Sequence, residues 1–288
     1  MKIRDILKEE RPTISFEVFP PKTMDNYASV ERAATEIAKL HPDFMSITYG
    51  AGGGTSDYTV NIASDLMHRY DTNVLAHLTC VSSTREKVKD VLGKLKEQKI
   101  ENILALRGDI PANTDTPLPG QYHYASELIE DIKSQGDFCI GAACYPEGHV
   151  EAANQKEDIR NLKTKVDAGV DFLTTQMFFD NSILYSFLYR IREAGITVPV
   201  LAGIMPVTNV KQIKRSCDLS GTYLPTRFKS IADKFGNNPA AMKQAGIAYA
   251  TEQIIDLLAN GVKGIHVYSM NKPEVAAAIM NNLSDILR

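Results

Sequence analysis

The chain has 288 residues, of which 44% are hydrophobic and 23% charged, a balance typical of a globular protein with a large core. The 32 basic and 35 acidic residues give a net charge of −3, so the sequence lacks the basic excess of a nucleic-acid-binding protein. No apolar run is long enough to span a membrane, and the charged N-terminus lacks the apolar stretch of a signal peptide. The four cysteines show no disulfide or metal spacing, which favours a cytoplasmic protein with reduced thiols.

Short runs rich in β-branched and aromatic residues recur along the chain, with helical patterns between them. Eight runs predict strands, at residues 13–19, 44–49, 74–79, 102–106, 138–143, 172–177, 198–204 and 264–268. The clearest helices are predicted from the apolar spacing within 88–95, 183–191 and 247–258. Ser83 and Glu86 have the spacing of a capping box at the start of the first of these helices.

Alternating strands and helices predict an α/β fold with a parallel sheet, and eight strands favour closure into a single (β/α)8 TIM barrel. An open doubly wound sheet is the alternative. The stretch 110–120, with three prolines, is predicted to be a long loop after the fourth strand, and 217–238 is predicted to add helix to the seventh unit. No linker divides the chain, so we expect one domain over residues 1–288.

Several predicted strands carry polar residues on the face that would fill a barrel. In the first strand, alternation places Ser15 and Glu17 opposite Ile14 and Phe16, so Glu17 is expected to point inward near the carboxyl end. Burial disfavours the charged form of a carboxylate, which suits a general acid. A structural ion pair is an equally good interpretation of the pattern.

The third and sixth strands repeat this pattern. His77 shares the inner face of its strand with Leu75, and a lone histidine of this kind is more often a core residue than a catalyst. Cys80, three residues on, falls on the opposite face, so we expect no metal site. Gln176 ends the sixth strand on the face of Thr174, where its amide suits either a ring substrate with amide groups or a satisfied interior.

The loops after three strands add groups that could hold a ligand. Arg107, Gly108 and Asp109 offer a donor fork, a close backbone approach and an acceptor, although an Arg–Asp ion pair that caps the loop is the favoured interpretation of these residues alone. The glycine-rich turn at 50–55 fails the dinucleotide pattern at its last position and lacks the lysine of a phosphate-binding loop, so a plain turn is favoured.

After the fifth strand, Tyr145 and His149 could stack on a planar ligand. The following helix places Asp158, Asn161 and Lys165 on one face, and this pattern alone favours a solvated helix face over a ligand site. Each signal is weak alone, but all lie at the carboxyl ends of strands, where barrel enzymes build their sites. The sequence therefore favours an enzyme.

An ordered set of short motifs resembles methylenetetrahydrofolate reductase of the bacterial, catalytic-domain-only type. The motifs are Phe-Glu-Val-Phe-Pro-Pro at 16–21, Thr-Tyr-Gly-Ala at 48–51, His-Leu-Thr-Cys at 77–80, Leu-Arg-Gly-Asp at 106–109, Tyr-Pro-Glu-x-His at 145–149, Thr-Gln-x-Phe-Phe at 175–179 and Gly-Ile-Met-Pro at 203–206. The match runs in order over nearly the whole chain.

The resemblance implies a barrel that binds FAD non-covalently and reduces 5,10-methylenetetrahydrofolate to 5-methyltetrahydrofolate, in one-carbon metabolism or methionine synthesis. NADH or NADPH would reduce the flavin and leave before the folate binds. It also implies a homo-oligomer without the regulatory extension of longer relatives. The sequence does not choose between the two nicotinamides, or exclude ferredoxin or a partner subunit as electron donor.

The resemblance also assigns roles by motif position. Glu17 would be the general acid, and Asp109 would lie between flavin and folate. The folate and nicotinamide would contact Thr48, Gln176, Tyr268 and Lys272. The positions that match FAD contacts are Tyr49, Ala51, His77, Arg107, Gly108, Asp109, Ala125, Tyr145, His149, Ala152, Asp158, Asn161, Thr164 and Lys165. Lys272 and Thr164 depart from the family, which often has arginine at the first position and a basic residue at the second.

Two alternatives remain open at this point. One is a flavin-free, pterin-binding barrel of the methyltransferase kind, which the motifs at 107–109 and 145–149 disfavour. The other is a non-catalytic, folate-binding subunit, which the presence of both Glu17 and Asp109 disfavours.

Overall fold

The computed structural model describes residues 1–21, 26–49, 56–81, 83–108 and 121–287, which form a closed barrel of parallel strands surrounded by helices. The strands are β1 Thr13–Val18, β2 Phe44–Ile47, β3 Val74–Thr79, β4 Asn102–Leu106, β5 Cys139–Cys144, β6 Phe172–Thr175, β7 Val200–Ile204 and β8 Gly264–Tyr268. They are hydrogen-bonded in chain order, and β8 pairs with β1 to close the sheet. The predicted (β/α)8 barrel is confirmed, and the open-sheet alternative is wrong.

One short helix, α1, precedes the first strand, and the other helices follow the strands around the outside of the barrel. They are α1 Ile3–Ile6, α2 Tyr27–Ala38, α3 Ser56–Tyr70, α4 Arg85–Glu97, α5 Ala125–Gln135, α6 Gln155–Asp167, α7 Asn181–Glu193, α8 Val210–Ser220, α9 Thr226–Phe235, α10 Pro239–Ala259 and α11 Pro273–Asn282. The extra helix predicted for 217–238 is confirmed, since α8 and α9 both precede α10 in the seventh unit. The predicted loop at 110–120 lies entirely outside the described residues.

The predicted capping box at the start of α4 is wrong by one residue. Thr84 is the N-cap, and its side chain accepts a hydrogen bond from the Lys87 N–H at 3.2 Å. Ser83 instead turns inward, where it is 1% exposed, because its N–H closes a turn on the Cys80 carbonyl. The turn that ends β3 therefore fixes where the helix begins.

Two apolar layers enclose the barrel wall. Ile14, Phe16 and Val18 of β1 pack outward into the large core between strands and helices, as their alternation predicted. Inside the barrel, Ile3 and Ile6 of α1 pack against side chains such as Phe172. The Ile3 N–H donates to Asn102 Oδ1 at 2.8 Å at the start of β4, so α1 covers the amino-terminal end of the barrel.

The opposite half of the barrel interior is polar. The buried side chains of Ser15, Glu17, Ser46, His77 and His266 lie there. Burial lowers the pKa of His77 to about 4, and the nearby Glu17 offsets this shift only in part. His77 is therefore neutral at physiological pH.

The side chain of Tyr268 extends from β8 to β6 and passes over Gly203 in β7. Its hydroxyl donates to the Thr175 carbonyl at 2.6 Å. A Cβ atom at Gly203 would lie 2.3 Å from that carbonyl oxygen and 2.7 Å from the Tyr268 Oη. Glycine is required at 203 because any side chain would occupy the space that this hydrogen bond needs.

The burial of neutral His77 predicts a pH-dependent stability. An unfolded histidine takes up a proton near pH 6.5, whereas folded His77 does so only near pH 4. Between these values the unfolded chain binds more protons, so the free energy of unfolding rises with pH and reaches its full value above pH 6.5. The shift corresponds to roughly 3 kcal/mol. Denaturant titrations at a series of pH values should show that His77→Gln flattens this slope, whereas exposed His68→Gln does not; a full wild-type slope in His77→Gln would contradict the expectation.

A pair of glycine substitutions tests the packing at Tyr268. We expect Gly203→Ala to lower the free energy of unfolding by about 2 kcal/mol or more, because β6, β7 and Tyr268 must move apart. Gly93→Ala is the matched control, since a Cβ atom there meets nothing within 4 Å, and alanine should stabilise α4 by about 0.5–1 kcal/mol. Equal thermal shifts in the two variants would refute the steric argument.

Candidate active site

Glu17 lies in the buried polar cluster at the carboxyl end of the barrel, with 6% of its surface exposed. Its Oε2 atom lies 3.4 Å from His77 Nε2 and 3.7 Å from His266 Nε2. The Ser46 hydroxyl donates to the same oxygen at 3.5 Å. These contacts are long, and His77 Nε2 has no aligned hydrogen-bond partner within the described part of the chain. The carboxyl group is therefore surrounded by polar groups without being tightly paired.

The hydrogen bonds around His266 indicate which of its nitrogens carries the proton. The Ser15 hydroxyl donates to the Ile265 carbonyl at 3.1 Å, so its oxygen can accept from His266 Nδ1, which lies 2.8 Å away. Nε2 is then the acceptor, and the Ser46 hydroxyl lies 3.3 Å from it. Ser46 lies within reach of both Glu17 Oε2 and His266 Nε2, and its single hydroxyl proton can be donated to only one of them at a time.

The loop after β8 fixes the end of β1 and hence Glu17. The Ser269 hydroxyl donates to the Glu17 carbonyl at 2.6 Å. Asn271 accepts from the Phe19 N–H at 2.8 Å and donates to the Phe19 carbonyl at 2.9 Å, which imitates a pair of strand hydrogen bonds. Met270 and Asn271 have φ values of 55° and 54°, so this loop adopts a left-handed turn to reach β1.

A second group of polar residues lies beside β5 and the start of α6. Lys165 donates to the Ala143 carbonyl at 2.6 Å, and burial lowers the pKa of this ammonium group. Burial also raises the pKa of Asp158, which accepts a hydrogen bond from the His149 N–H. The rings of Tyr145 and His149 meet edge to face with centroids 4.6 Å apart. The predicted helix face thus holds a partly buried cation and carboxylate beside two aromatic rings.

Arg107 extends this group towards β4 through an ion pair that the sequence did not indicate. Its Nη1 and Nη2 atoms donate to the two carboxylate oxygens of Glu151 at 2.5 and 2.7 Å. The Glu151 N–H donates to His149 Nδ1 at 3.1 Å, which leaves the proton of neutral His149 on Nε2. Burial lowers the pKa of His149, and the positive charge of Arg107 adds to this shift.

The residues predicted to contact the substrates lie near the same end of the barrel. Gln176 follows β6, is half-buried, and accepts from the Met177 N–H at 2.9 Å. Lys272 donates to the Thr208 hydroxyl at 2.5 Å, which connects the loops after β8 and β7. Thr48 follows β2, and its N–H donates to the Val18 carbonyl at 3.0 Å.

The remaining predicted residues differ in their surroundings. Tyr49 is buried in the outer core, and Ala125 is the buried first residue of α5. Asn161 and Thr164 are exposed on α6, whereas Ala152 is half-buried in the loop before it. Gly108 has a φ of 86°, which explains a glycine there. Ala51 and Asp109 lie outside the described residues.

Three neighbours of the predicted residues were missed from the sequence: Ser46, His266 and Glu151. Alternation along β8 places His266 on the inner face with Tyr268 and was available as a signal. Ser46 shares this kind of signal, because alternation along β2 places it on the face opposite Met45 and Ile47 of the outer core. No local pattern marks Glu151, because its partner is 44 residues away.

Two negative results apply to the described ranges alone. They contain no cluster of three or more His, Cys, Asp or Glu side chains arranged to hold a metal ion. They also contain no helix with the length and apolar character needed to cross a membrane.

Comparison with known proteins assigns the chain to a family. The family model described as methylenetetrahydrofolate reductase matches residues 2–284. The 5,10-methylenetetrahydrofolate reductase of Pectobacterium carotovorum is 35% identical over 273 residues, covering 95% of this chain and 90% of that protein. The probable methylenetetrahydrofolate reductase (NADH) of rice is 36% identical over 295 residues. The match covers 98% of this chain, so the chain spans about half the length of the rice protein, of which 50% is covered.

The fold comparison agrees at a lower level of detail. A Clostridium thermocellum protein, described as binding two copies of 5-methyl-5,6,7,8-tetrahydrofolic acid, superimposes with a TM-score of 0.65 over 99% of both chains at 14% identity. At that identity the likeness shows the barrel fold alone. The family match over nearly the whole length, together with a bacterial relative of similar extent, shows that the chain belongs to the methylenetetrahydrofolate reductase family.

Proposed function

We propose that this protein is a flavoenzyme that reduces 5,10-methylenetetrahydrofolate to 5-methyltetrahydrofolate with hydride from NADH or NADPH, supplying methyl groups for one-carbon metabolism such as methionine synthesis. The observation that carries this proposal is Glu17, a buried carboxyl group in a family-matched motif at the carboxyl end of the barrel. Buried carboxyl groups beside histidines at this end of a barrel are typical of proton-transfer sites.

The residues beside β4 to α6 have the chemistry that FAD requires. Arg107 and Lys165 are cations suited to a diphosphate, and His149 Nε2–H is a neutral donor. Glycine is required at 108 by its φ of 86° and by Thr79, whose Cβ would lie 3.1 Å from a Cβ atom there. FAD bound at these residues would supply the group that accepts hydride from the nicotinamide and passes it to the folate.

Glu17 is suited to deliver the proton that the folate needs. Opening the five-membered ring of the substrate requires protonation of a ring nitrogen, which general acid catalysis provides. After Glu17 has given up its proton, the Ser46 hydroxyl, 3.5 Å from Glu17 Oε2, can donate a hydrogen bond to the carboxylate. Neutral His77 beside Glu17 adds no positive charge that would oppose protonation.

Gln176, Tyr268 and Lys272 are suited to orient the substrates. The Gln176 amide can donate to and accept from a pterin ring or a nicotinamide amide in turn. Lys272 can meet a glutamate carboxylate of the folate tail as a point charge, in place of the arginine fork frequent in the family. Its ammonium group has three N–H donors, so it can keep its bond to Thr208 while it makes this contact.

Substitution of Glu17 should separate the two half-reactions. We expect Glu17→Gln to slow reoxidation of the reduced enzyme by methylenetetrahydrofolate by at least about 100-fold, because a general acid contributes that much or more. Flavin bleaching by NADH should change by less than about threefold, since hydride donation from NADH needs no acid at Glu17. Anaerobic stopped-flow absorbance measures both steps, with exposed Glu130→Gln as control. An equal decrease in the rates of both steps would contradict the proposal that Glu17 is the general acid.

Flavin binding is tested separately at Lys165. We expect the purified protein to be yellow and Lys165→Met to weaken FAD binding to apoprotein about tenfold or more, because a charge-assisted hydrogen bond to phosphate would be lost. Lys163→Met on the same helix is the control, since Lys163 pairs with Asp167 near the surface. Quenching of FAD fluorescence gives the dissociation constants. A colourless protein that FAD cannot reconstitute would favour the flavin-free methyltransferase alternative.

The electron donor and the assembly need direct measurement. Anaerobic reduction with NADH, NADPH and reduced ferredoxin in turn should identify a nicotinamide as the efficient donor. Slow reduction by both nicotinamides would point to ferredoxin or to a partner subunit. Light scattering of the purified protein tests the proposed homo-oligomer.

A further inference from the structure

The guanidinium group of Arg107 is occupied by a carboxylate of the same chain. The Glu151 carboxylate accepts one hydrogen bond from each terminal nitrogen of Arg107, at 2.5 and 2.7 Å. The Arg107 Nε–H points to the Gly108 carbonyl at 3.4 Å. The end of the fork that binds an anion through two parallel hydrogen bonds is therefore already in use.

Hydrogen bonds within the loop after β5 fix the backbone position from which Glu151 reaches Arg107. The Glu151 N–H is bonded to His149 Nδ1 at 3.1 Å, and the Ala152 N–H donates to the His149 carbonyl at 3.0 Å. The turn that positions His149 thus also fixes the backbone of Glu151. The residues proposed to hold FAD therefore have a carboxylate of the same chain beside them.

The Arg107–Glu151 pair has two short hydrogen bonds, but both side chains are accessible to water. The Arg107 side chain is 23% exposed and that of Glu151 is 53% exposed. Exposed pairs contribute little because solvent screens them and because ordering two long side chains costs entropy. An incoming dianion can therefore displace Glu151 at small cost, whereas a ligand without negative charge gains nothing from doing so.

We propose that Glu151 is an internal competitor for the Arg107 fork, which the FAD diphosphate displaces when it binds. The diphosphate is the anionic group of FAD, and a guanidinium fork matches a phosphate as well as it matches a carboxylate. Without FAD, Glu151 pairs with Arg107, at the expense of part of the cofactor affinity. The inference rests on the proposed FAD-dependent function and concerns a residue that function does not itself require.

FAD titration of apoprotein tests the competition without measuring turnover. We expect Glu151→Gln to tighten FAD binding by about two- to fivefold, which is the worth of one exposed ion pair. Glu151→Ala should change the affinity in the same direction. Glu157→Gln is the matched control, since Glu157 is a nearby exposed carboxylate that pairs with Arg160, and it should leave the dissociation constant unchanged. Weaker or unchanged binding in Glu151→Gln would overturn the proposal and assign Glu151 to holding Arg107 for the cofactor.

A double-mutant cycle separates competition from simple charge repulsion. In an Arg107→Gln background, Glu151→Gln should no longer tighten FAD binding, because there is no fork to release. Tightening of the same size in that background would overturn the proposal in favour of a general field effect. Absence of FAD binding by the wild-type protein would refute the proposed function itself, and this result is distinct from either failure of the competition.

Discussion

The pairing of β1 with β8 is the constraint on which the rest of the site depends. Ser15 lies opposite His266 and Glu17 opposite Tyr268, in strands separated by about 250 residues of chain. Because side chains alternate along a strand, this register places Ser15, Glu17 and His266 inside the barrel together. A slip of one residue would exchange them with Phe16 and Val267 of the outer core.

Burial of a carboxyl group imposes a second constraint on this cluster. A buried charge needs compensating partners, yet the contacts of Glu17 Oε2 measure 3.4, 3.5 and 3.7 Å. Neutral His77 supplies polarity without a full positive charge. The fold therefore holds Glu17 in place through its backbone, by way of Ser269, and leaves the carboxyl group without a short hydrogen bond.

Short-range patterns predicted more of the fold than of the site. Period-two alternation and the spacing of apolar residues gave eight strands and the inward direction of Glu17 and His77, because these depend on local geometry. The start of α4 was misplaced because a backbone turn at Cys80 decides which hydroxyl caps the helix. The Arg107–Glu151 pair depends on how two loops meet, and nothing within either loop specifies it.

The two polar groups lie on different strands of one barrel, and this division explains how one site could serve two substrates. Glu17, Ser46, His77 and His266 come from β1, β2, β3 and β8, whereas the cations Arg107 and Lys165 belong to the β4–β6 side. A cofactor held through its phosphates by the second group would leave the first group open to whichever substrate is bound. Under the proposed reaction, a nicotinamide and a folate can therefore alternate beside the same cofactor, and only the folate makes use of Glu17.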